Sequence, residues 1–483
     1  MATQHRWMTL VLREASTAIS SSCIRPFEAI PAPKGKPLIG TLWDVYRAGG
    51  VAQIHRYIDG RHRHLGPIFR ERLGHVRAVW LNDAQLYRQV YHCEGSFPQP
   101  MLPEPWLIYN RKQHCQRGLF FMQGEEWARY RKMIAPMLLK TATLDRHLDG
   151  LNQVADQLLE RWIPHDGQVL DNLEYELYTY FVQGLMCAAF GPDVALDSIL
   201  WKALIPDMVE NLQELFHNTA RLTLFPPGLA AKWGLSVWNQ FESSAERSLE
   251  LAGTLSDLCM KRATSDGCLV AALRENNVSP RDIRRIVTDL FLAAADTTSH
   301  TMQWVLYSLA RHATIQDRVA DECRHFAGSS QTAGDRWQQM SLMKGSVKEA
   351  LRLYPVAPFL TRILPGESQI ADYHVPAGTL VLLSTYSSGR DPRYFVEPDR
   401  FWPERWTRET AEKTISDPYA SLPFGHGKRS CVGRRLAEAQ MYIFLCKVLP
   451  AFRIYADQKV EMIMRLLGTV DQPVRLRLQR RSM

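Results

Sequence analysis

One stretch of the chain is composed like a site: Phe424-Gly425-His426-Gly427-Lys428-Arg429-Ser430-Cys431-Val432-Gly433. It sets a single cysteine among glycines, behind a phenylalanine and an arginine, just ahead of a helical pattern. A cysteine that only fills core space needs no such company, and many free cysteines do only that. A thiolate held on a haem iron needs all of it: room for a flat macrocycle, backbone N–H groups aimed at the sulfur, and a cation for a propionate. Gly425, Gly427 and Gly433 permit close approach and unusual backbone angles. Phe424 can shield the sulfur, and Arg429 is the cation.

Three other groupings carry chemistry at helical spacing. Ala293-Ala294-Ala295-Asp296-Thr297-Thr298 puts an acid and two alcohols inside a helical pattern, where such side chains compete for the backbone. Either the threonine hydroxyls bond back to carbonyls on a helix facing small neighbours, or Asp296 and Thr297 relay protons to reduced oxygen beside a substrate. Glu349 and Arg352, three apart, share one helix face. Such a pair is usually a solvated bridge of little weight. Trp127 and Arg131 also share a face, and an indole N–H and a guanidinium there could both donate to one carboxylate.

The elements that must position these groups are mostly helical. Ser279 as N-cap, Pro280 at the first position and Asp282 in the first turn predict a helix start. Apolar residues at 283, 286, 287, 290, 291 and 294 continue it, to about Arg311. Roughly thirty residues at 1.5 Å each give about 45 Å, enough to cross a domain. Ile68 to Leu81 around Gly74 predicts a hairpin, and Asp83 caps the helix after it. Residues from about 125 to 325 read as helix, 361–364 and 379–385 as strands, and a last helix follows Cys431 and stops near Pro450. The fold class is mainly α with a minor β part, one domain built on a long central helix.

Composition bounds the rest. The 483 residues, 46% hydrophobic and 22% charged, suit a large globular core. No Gly/Ser linker, repeat or low-complexity block divides them, and Ile30 to Pro37 is a stiff, Pro-rich lead-in. The nine cysteines are scattered, odd in number and without C-x-x-C spacing. That excludes a disulfide framework and a structural zinc site, and points to a reducing compartment. A net charge of +8 fits a membrane surface or an acidic protein partner. Its cations form no single run, which argues against nucleic acid. Residues 1–25 carry Arg6, Arg13 and Arg25 against one acid, Glu14, among several Ser and Thr. That is the character of an organelle transit peptide, leaving 26–483 as the domain.

These motifs, in this order, resemble the cytochrome P-450 family of haem-thiolate monooxygenases. The likeness covers nearly everything after residue 30. It implies haem b with Cys431 as the iron ligand and Trp127, Arg131, Arg362, Phe424 and Arg429 around the macrocycle. Asp296 and Thr297 become the catalytic pair, and Glu349, Arg352 and Arg405 a structural lock beneath the haem. The family usually has Gly where this chain has Ala294, whose methyl narrows the oxygen groove. A haem protein that isomerises without using oxygen would tend to lose the acid–threonine pair, which is kept here. Arg434 and Arg435 just past Cys431 resemble the mitochondrial branch. That branch takes electrons from a small acidic ferredoxin, docked through positions matching Lys344 and Lys348. The alternative, a microsomal enzyme fed by a flavoprotein reductase, would need an N-terminal span that is not seen. The branch implies peripheral attachment to the matrix face of the mitochondrial inner membrane. Segments such as Gly66 to Gly74 and Leu351 to Phe359 are similar to insect ecdysteroid hydroxylases. That likeness implies hydroxylation of 2-deoxyecdysone at carbon 2, with another mitochondrial steroid hydroxylation as the alternative. Family topology places Trp106, Ala294, Val356, Phe359 and Thr469 at the substrate.

Overall fold

The computed structural model describes residues 24–482, apart from 224, 264–266, 328–336 and 338. Residues 1–23, where the leader reading falls, lie outside the described residues. Seven helices and six strands carry the argument. The helices are α1 (Gly124–Leu139), α2 (Leu173–Phe190), α3 (Ser198–Thr223), α4 (Ser236–Arg262), α5 (Pro280–Arg311), α6 (Ser341–Leu353) and α7 (Arg434–Ala451). The strands are β1 (Ile68–Leu73), β2 (Val76–Leu81), β3 (Phe359–Ile363), β4 (Leu380–Ser384), β5 (Met462–Arg465) and β6 (Leu467–Val470).

The long helix starts as its sequence requires. The Ser279 hydroxyl accepts the Asp282 N–H at 3.1 Å, Pro280 is the first residue, and α5 runs unbroken for 32 residues. It packs against α2, α4 and α6. Its neighbour α2 is apolar almost all round and buried over nearly its whole length, as a helix in the middle of a large core must be. The last helix, α7, lies against α1, α2 and α6. Pro450 sits in its final turn, where the helix ends anyway.

The minor β part has a clear register. In the β1–β2 hairpin Ile68 faces Leu81, and the turn uses Gly74 at φ +62°. Strand β4 joins β2 in parallel, Val79 opposite Val381, and β3 pairs antiparallel with β4, Leu360 opposite Leu383. Strands β5 and β6 form a separate hairpin, Gly468 opposite Met464. The Asp83 cap is present, its carboxylate accepting the Gln85 N–H at 2.9 Å.

Two sequence readings move. A three-stranded sheet, Val169–Leu170, Leu476–Arg480 and Phe452–Tyr455, interrupts the helical stretch. A two-residue strand is too short to leave a period-2 pattern. Arg25, assigned to the leader, belongs to the domain: its N–H donates to the Asp372 carbonyl at 2.7 Å and its guanidinium stacks 4.0 Å over Tyr373. No helix among the described residues is long and apolar enough to cross a membrane.

Candidate active site

The loop before α7 folds around its own cysteine. Gly425 and Gly427 take φ +68° and +75°, and the Cys431 N–H donates back to the Phe424 carbonyl at 2.9 Å. The Gly433 N–H donates to the Cys431 sulfur. Solvent can reach that sulfur, yet burial pushes its thiol up, while the Gly433 N–H, Arg131 and Arg434 favour the thiolate. A deep concavity satisfies both observations. A Cβ on Gly427 would collide with the carboxylate of Glu94, so the loop's shape depends on that acid. Glu94 also accepts from the Lys428 N–H at 3.3 Å and from Arg362 Nε at 2.6 Å.

Cations gather beside the loop. Arg429 stacks 4.1 Å over Trp127 of α1 and donates to the carbonyls of Pro98 at 3.0 Å and Met122 at 2.7 Å. Burial first, then Arg362 and Arg131, push its guanidinium down to about 10. Arg131, half-buried one turn along α1, has no ion-pair partner among the described residues. Two arginines that repel each other here await a shared anion, as a haem propionate would be. Arg362, expected among the cofactor-binding residues, forms a buried ion pair with Glu94. It acts on the loop, donating to the His426 carbonyl at 3.1 Å.

On α5 the acid–alcohol segment sits in regular helix. Thr297 and Thr298 donate back to the carbonyls of Ala293 and Ala294 at 2.9 and 2.8 Å, so the back-bonded reading of these hydroxyls holds in this conformation. One stripe of the helix nonetheless stays open. Leu290, Ala293, Ala294 and Thr297, at i, i+3, i+4 and i+7, are exposed or half-exposed, whereas Phe291, Leu292, Ala295, Asp296 and Thr298 are buried. An open stripe in the middle of a core helix faces a hollow. The helix is unbroken at Ala294.

Beneath, Glu349 of α6 collects five hydrogen bonds. Arg352 gives two, at 2.9 and 2.7 Å, and Arg405 Nε gives one at 2.9 Å. The Trp402 N–H gives one at 3.0 Å and the Trp406 indole another at 2.9 Å. Arg352 also donates to the carbonyls of Gly389 and Pro398 at 2.5 Å each. All three charged side chains are fully buried.

On the outer face of the loop, exposed Arg434 and Arg435 both reach Glu438, at 3.0 and 3.1 Å. Lys348 stands exposed, 5.5 Å over the Trp406 ring, and the charges of Glu438 and Arg434 act on it. Burial, then Lys348, hold the Lys344 ammonium below its ordinary value. The four cations therefore share one neighbourhood.

The expected substrate residues are scattered. Ala294 lies on the open stripe. Trp106 is core, packed 5.8 Å from Phe121 and Phe241 with Arg117 stacked 4.5 Å over it. Val356 is buried, and Phe359 meets Trp80 edge-on at 5.3 Å. Thr469 is buried with its hydroxyl 3.1 Å from His300. Sequence reasoning missed Glu94, Trp406, Glu438 and His300. The last two stand four residues after Arg434 and Asp296 on their helices, a spacing that could have found them. Glu94 meets Gly427 from across the chain, and no local pattern signals it.

The residues present fit a haem: one cysteine sulfur approached by a backbone N–H, two arginines with no ion pair among the described residues, and an open stripe on the long helix. The cytochrome P450 family model matches residues 30–479. The chain is 34% identical to Cytochrome P450 315a1, mitochondrial, of Drosophila melanogaster, over 97% of this chain and 92% of that protein. It is 29% identical to Cytochrome P450 10 of Lymnaea stagnalis over 95% and 87%. It is 28% identical to the mitochondrial cholesterol side-chain cleavage enzyme of Oncorhynchus mykiss over 99% and 95%. Its loop, its cations and its length all agree: the chain belongs to the cytochrome P450 family, the haem-thiolate monooxygenases.

Proposed function

We propose that the protein is a mitochondrial steroid hydroxylase that converts 2-deoxyecdysone to ecdysone by hydroxylation at carbon 2. The supporting observation is the likeness along nearly its whole length to mitochondrial relatives, one of them from an insect and several acting on cholesterol by name. The leader ends before Arg25, whose contacts to Asp372 and Tyr373 belong to the folded domain. The enzyme then rests on the matrix face of the inner membrane.

Haem, when bound through Cys431, supplies oxygen activation and transfer to an unactivated C–H bond. The chain's residues do the rest. Cys431 would hold the iron, with the Gly433 N–H, Arg131 and Arg434 favouring its thiolate against burial. Trp127, Arg131 and Arg429 hold the propionates, and Phe424 covers the sulfur. Asp296 holds a proton source behind the open stripe, and Thr297 turns its hydroxyl from the Ala293 carbonyl into the hollow to pass protons on. Ala294 and its neighbours shape the apolar wall against the steroid. Lys344, Lys348, Arg434 and Arg435 receive an acidic ferredoxin, whose electrons enter on the thiolate side.

The test is turnover of ecdysteroids lacking single hydroxyls, with either ferredoxin and its reductase or a flavoprotein reductase. Ecdysone should form from 2-deoxyecdysone with ferredoxin only. Activity with the flavoprotein alone would overturn the mitochondrial assignment. Oxidation of cholesterol in place of 2-deoxyecdysone would move the substrate to the side-chain-cleavage relatives, and product without oxygen consumption would overturn the hydroxylase.

A further inference from the structure

Behind the open stripe of α5 lies a buried polar group that the reaction as described does not use. His300 sits one turn after Asp296, its Nε2 3.4 Å from Asp296 Oδ2. Its Nδ1 lies 3.1 Å from the Thr469 hydroxyl of β6 and 3.4 Å from the Gln303 amide. Asp296 and His300 are 3% and 7% exposed. Among the described residues Asp296 Oδ2 has no hydrogen-bond partner, and this imidazole is the ion-pair partner it has there. A buried carboxylate left so weakly held is costly unless its partner is charged.

We propose that His300 is the positioning residue of the proton-delivering acid: its ring holds the Asp296 carboxyl group drawn along the helix, and releases it toward Thr297 when a proton crosses between them. The groups acting on the pair come from each element packed around it. They are Glu174 and Tyr178 on α2, Gln213 on α3 through Glu174, Arg465 on β5 and Thr469 on β6. Burial alone would discharge His300, but Asp296 and then Glu174 outweigh it, with Arg465 opposed, and its pKa stands above 6.5. The step moves one proton and no electrons. The Nε2–H proton passes to the Asp296 carboxylate, leaving a neutral imidazole with its remaining proton on Nδ1 toward Thr469. The neutral acid, no longer drawn to His300, swings and gives that proton up on the Thr297 side. A proton from solvent, past half-buried Glu174, recharges the ring. Because the folded pKa is raised, the stabilisation from charging His300 is present below the ordinary histidine value and is lost as pH rises through the raised one.

The inference rests on the monooxygenase reaction and not on the identity of the steroid. Its first test is the titration of histidine by NMR in the diamagnetic reduced carbonyl complex, assigned by the signal missing in His300→Gln. His300 should titrate above 6.5 and fall in Asp296→Asn. Titration below 6.5, or no response to Asp296→Asn, would overturn the proposal. In the second, His300→Gln should lower product formed per oxygen consumed by about tenfold, with hydrogen peroxide making up the difference. Substrate KM and the reduced carbonyl band should stay as in wild type, and His300→Lys should restore part of the coupling. Unchanged coupling in His300→Gln would overturn it. If the wild type does not hydroxylate 2-deoxyecdysone, only the substrate assignment falls, since the titration needs no steroid.

Discussion

Two of the buried ionic clusters in this molecule are built in opposite ways. Around Glu349 every carboxylate oxygen is engaged, by five donors from Arg352, Arg405, Trp402 and Trp406. Around Asp296 one histidine stands 3.4 Å off and one oxygen lacks a hydrogen bond. Burial raises the cost of an unmet charge in both places. Saturation fixes the first cluster in a single arrangement and suits it to hold a loop. The second keeps a side chain that has somewhere else to go. On the proposed mechanism chemistry sits at the unsaturated site, and the saturated one keeps the cysteine loop in register with it.

The largest way to break this contrast is Glu349→Gln. It removes the anion between two buried guanidiniums and costs about 3–5 kcal/mol. The expected result is loss of the red-shifted reduced carbonyl band together with the thermal transition; a variant with both intact would show that the cluster is not what holds the loop. Thr297→Val comes next and strikes the other cluster's neighbour. Product per oxygen should fall by about a hundredfold, while thermal stability moves by no more than roughly 0.5 kcal/mol. An equal loss of stability would make Thr297 a packing residue. Trp406→Phe takes one of the five donors from Glu349. It should cost about 1.5 kcal/mol in denaturant unfolding of the holoenzyme and leave coupling untouched. Lys348→Gln alters a charge just outside the same cluster. The ferredoxin KM should rise a few-fold, corresponding to about 0.2–1 kcal/mol, less so at high salt, with no change in the carbonyl band.

What was legible in the sequence follows from how local each signal is. The start of α5 is written in three adjacent residues, and Ser279, Pro280 and Asp282 act as their types demand. The strain of the Cys431 loop is visible because only glycine accepts φ near +70° cheaply, and Gly425 and Gly427 stand there. Glu349 and Arg352 could be paired from spacing, yet nothing local told that Trp406 would donate to the same oxygen pair from far along the chain. Arg362 was placed at the cofactor by the family likeness, and its pairing with Glu94, remote in sequence, has no local signal. Trp106 and Thr469 illustrate the remaining gap. An aromatic or a threonine near a hollow has the same composition whether it faces the hollow or the core, and only packing decides.

Lys348 and Glu349 are neighbours in sequence and point opposite ways, one outward over Trp406 and the other into the saturated cluster. A partner that settles on Lys348 therefore presses on a floor that cannot yield. The proposed docking face arrives already set, so encounter with an electron donor would demand little ordering of the backbone beneath it. Such a surface favours brief visits: an acidic partner gains its attraction from charge alone and, once it has discharged, finds no slow rearrangement keeping it in place.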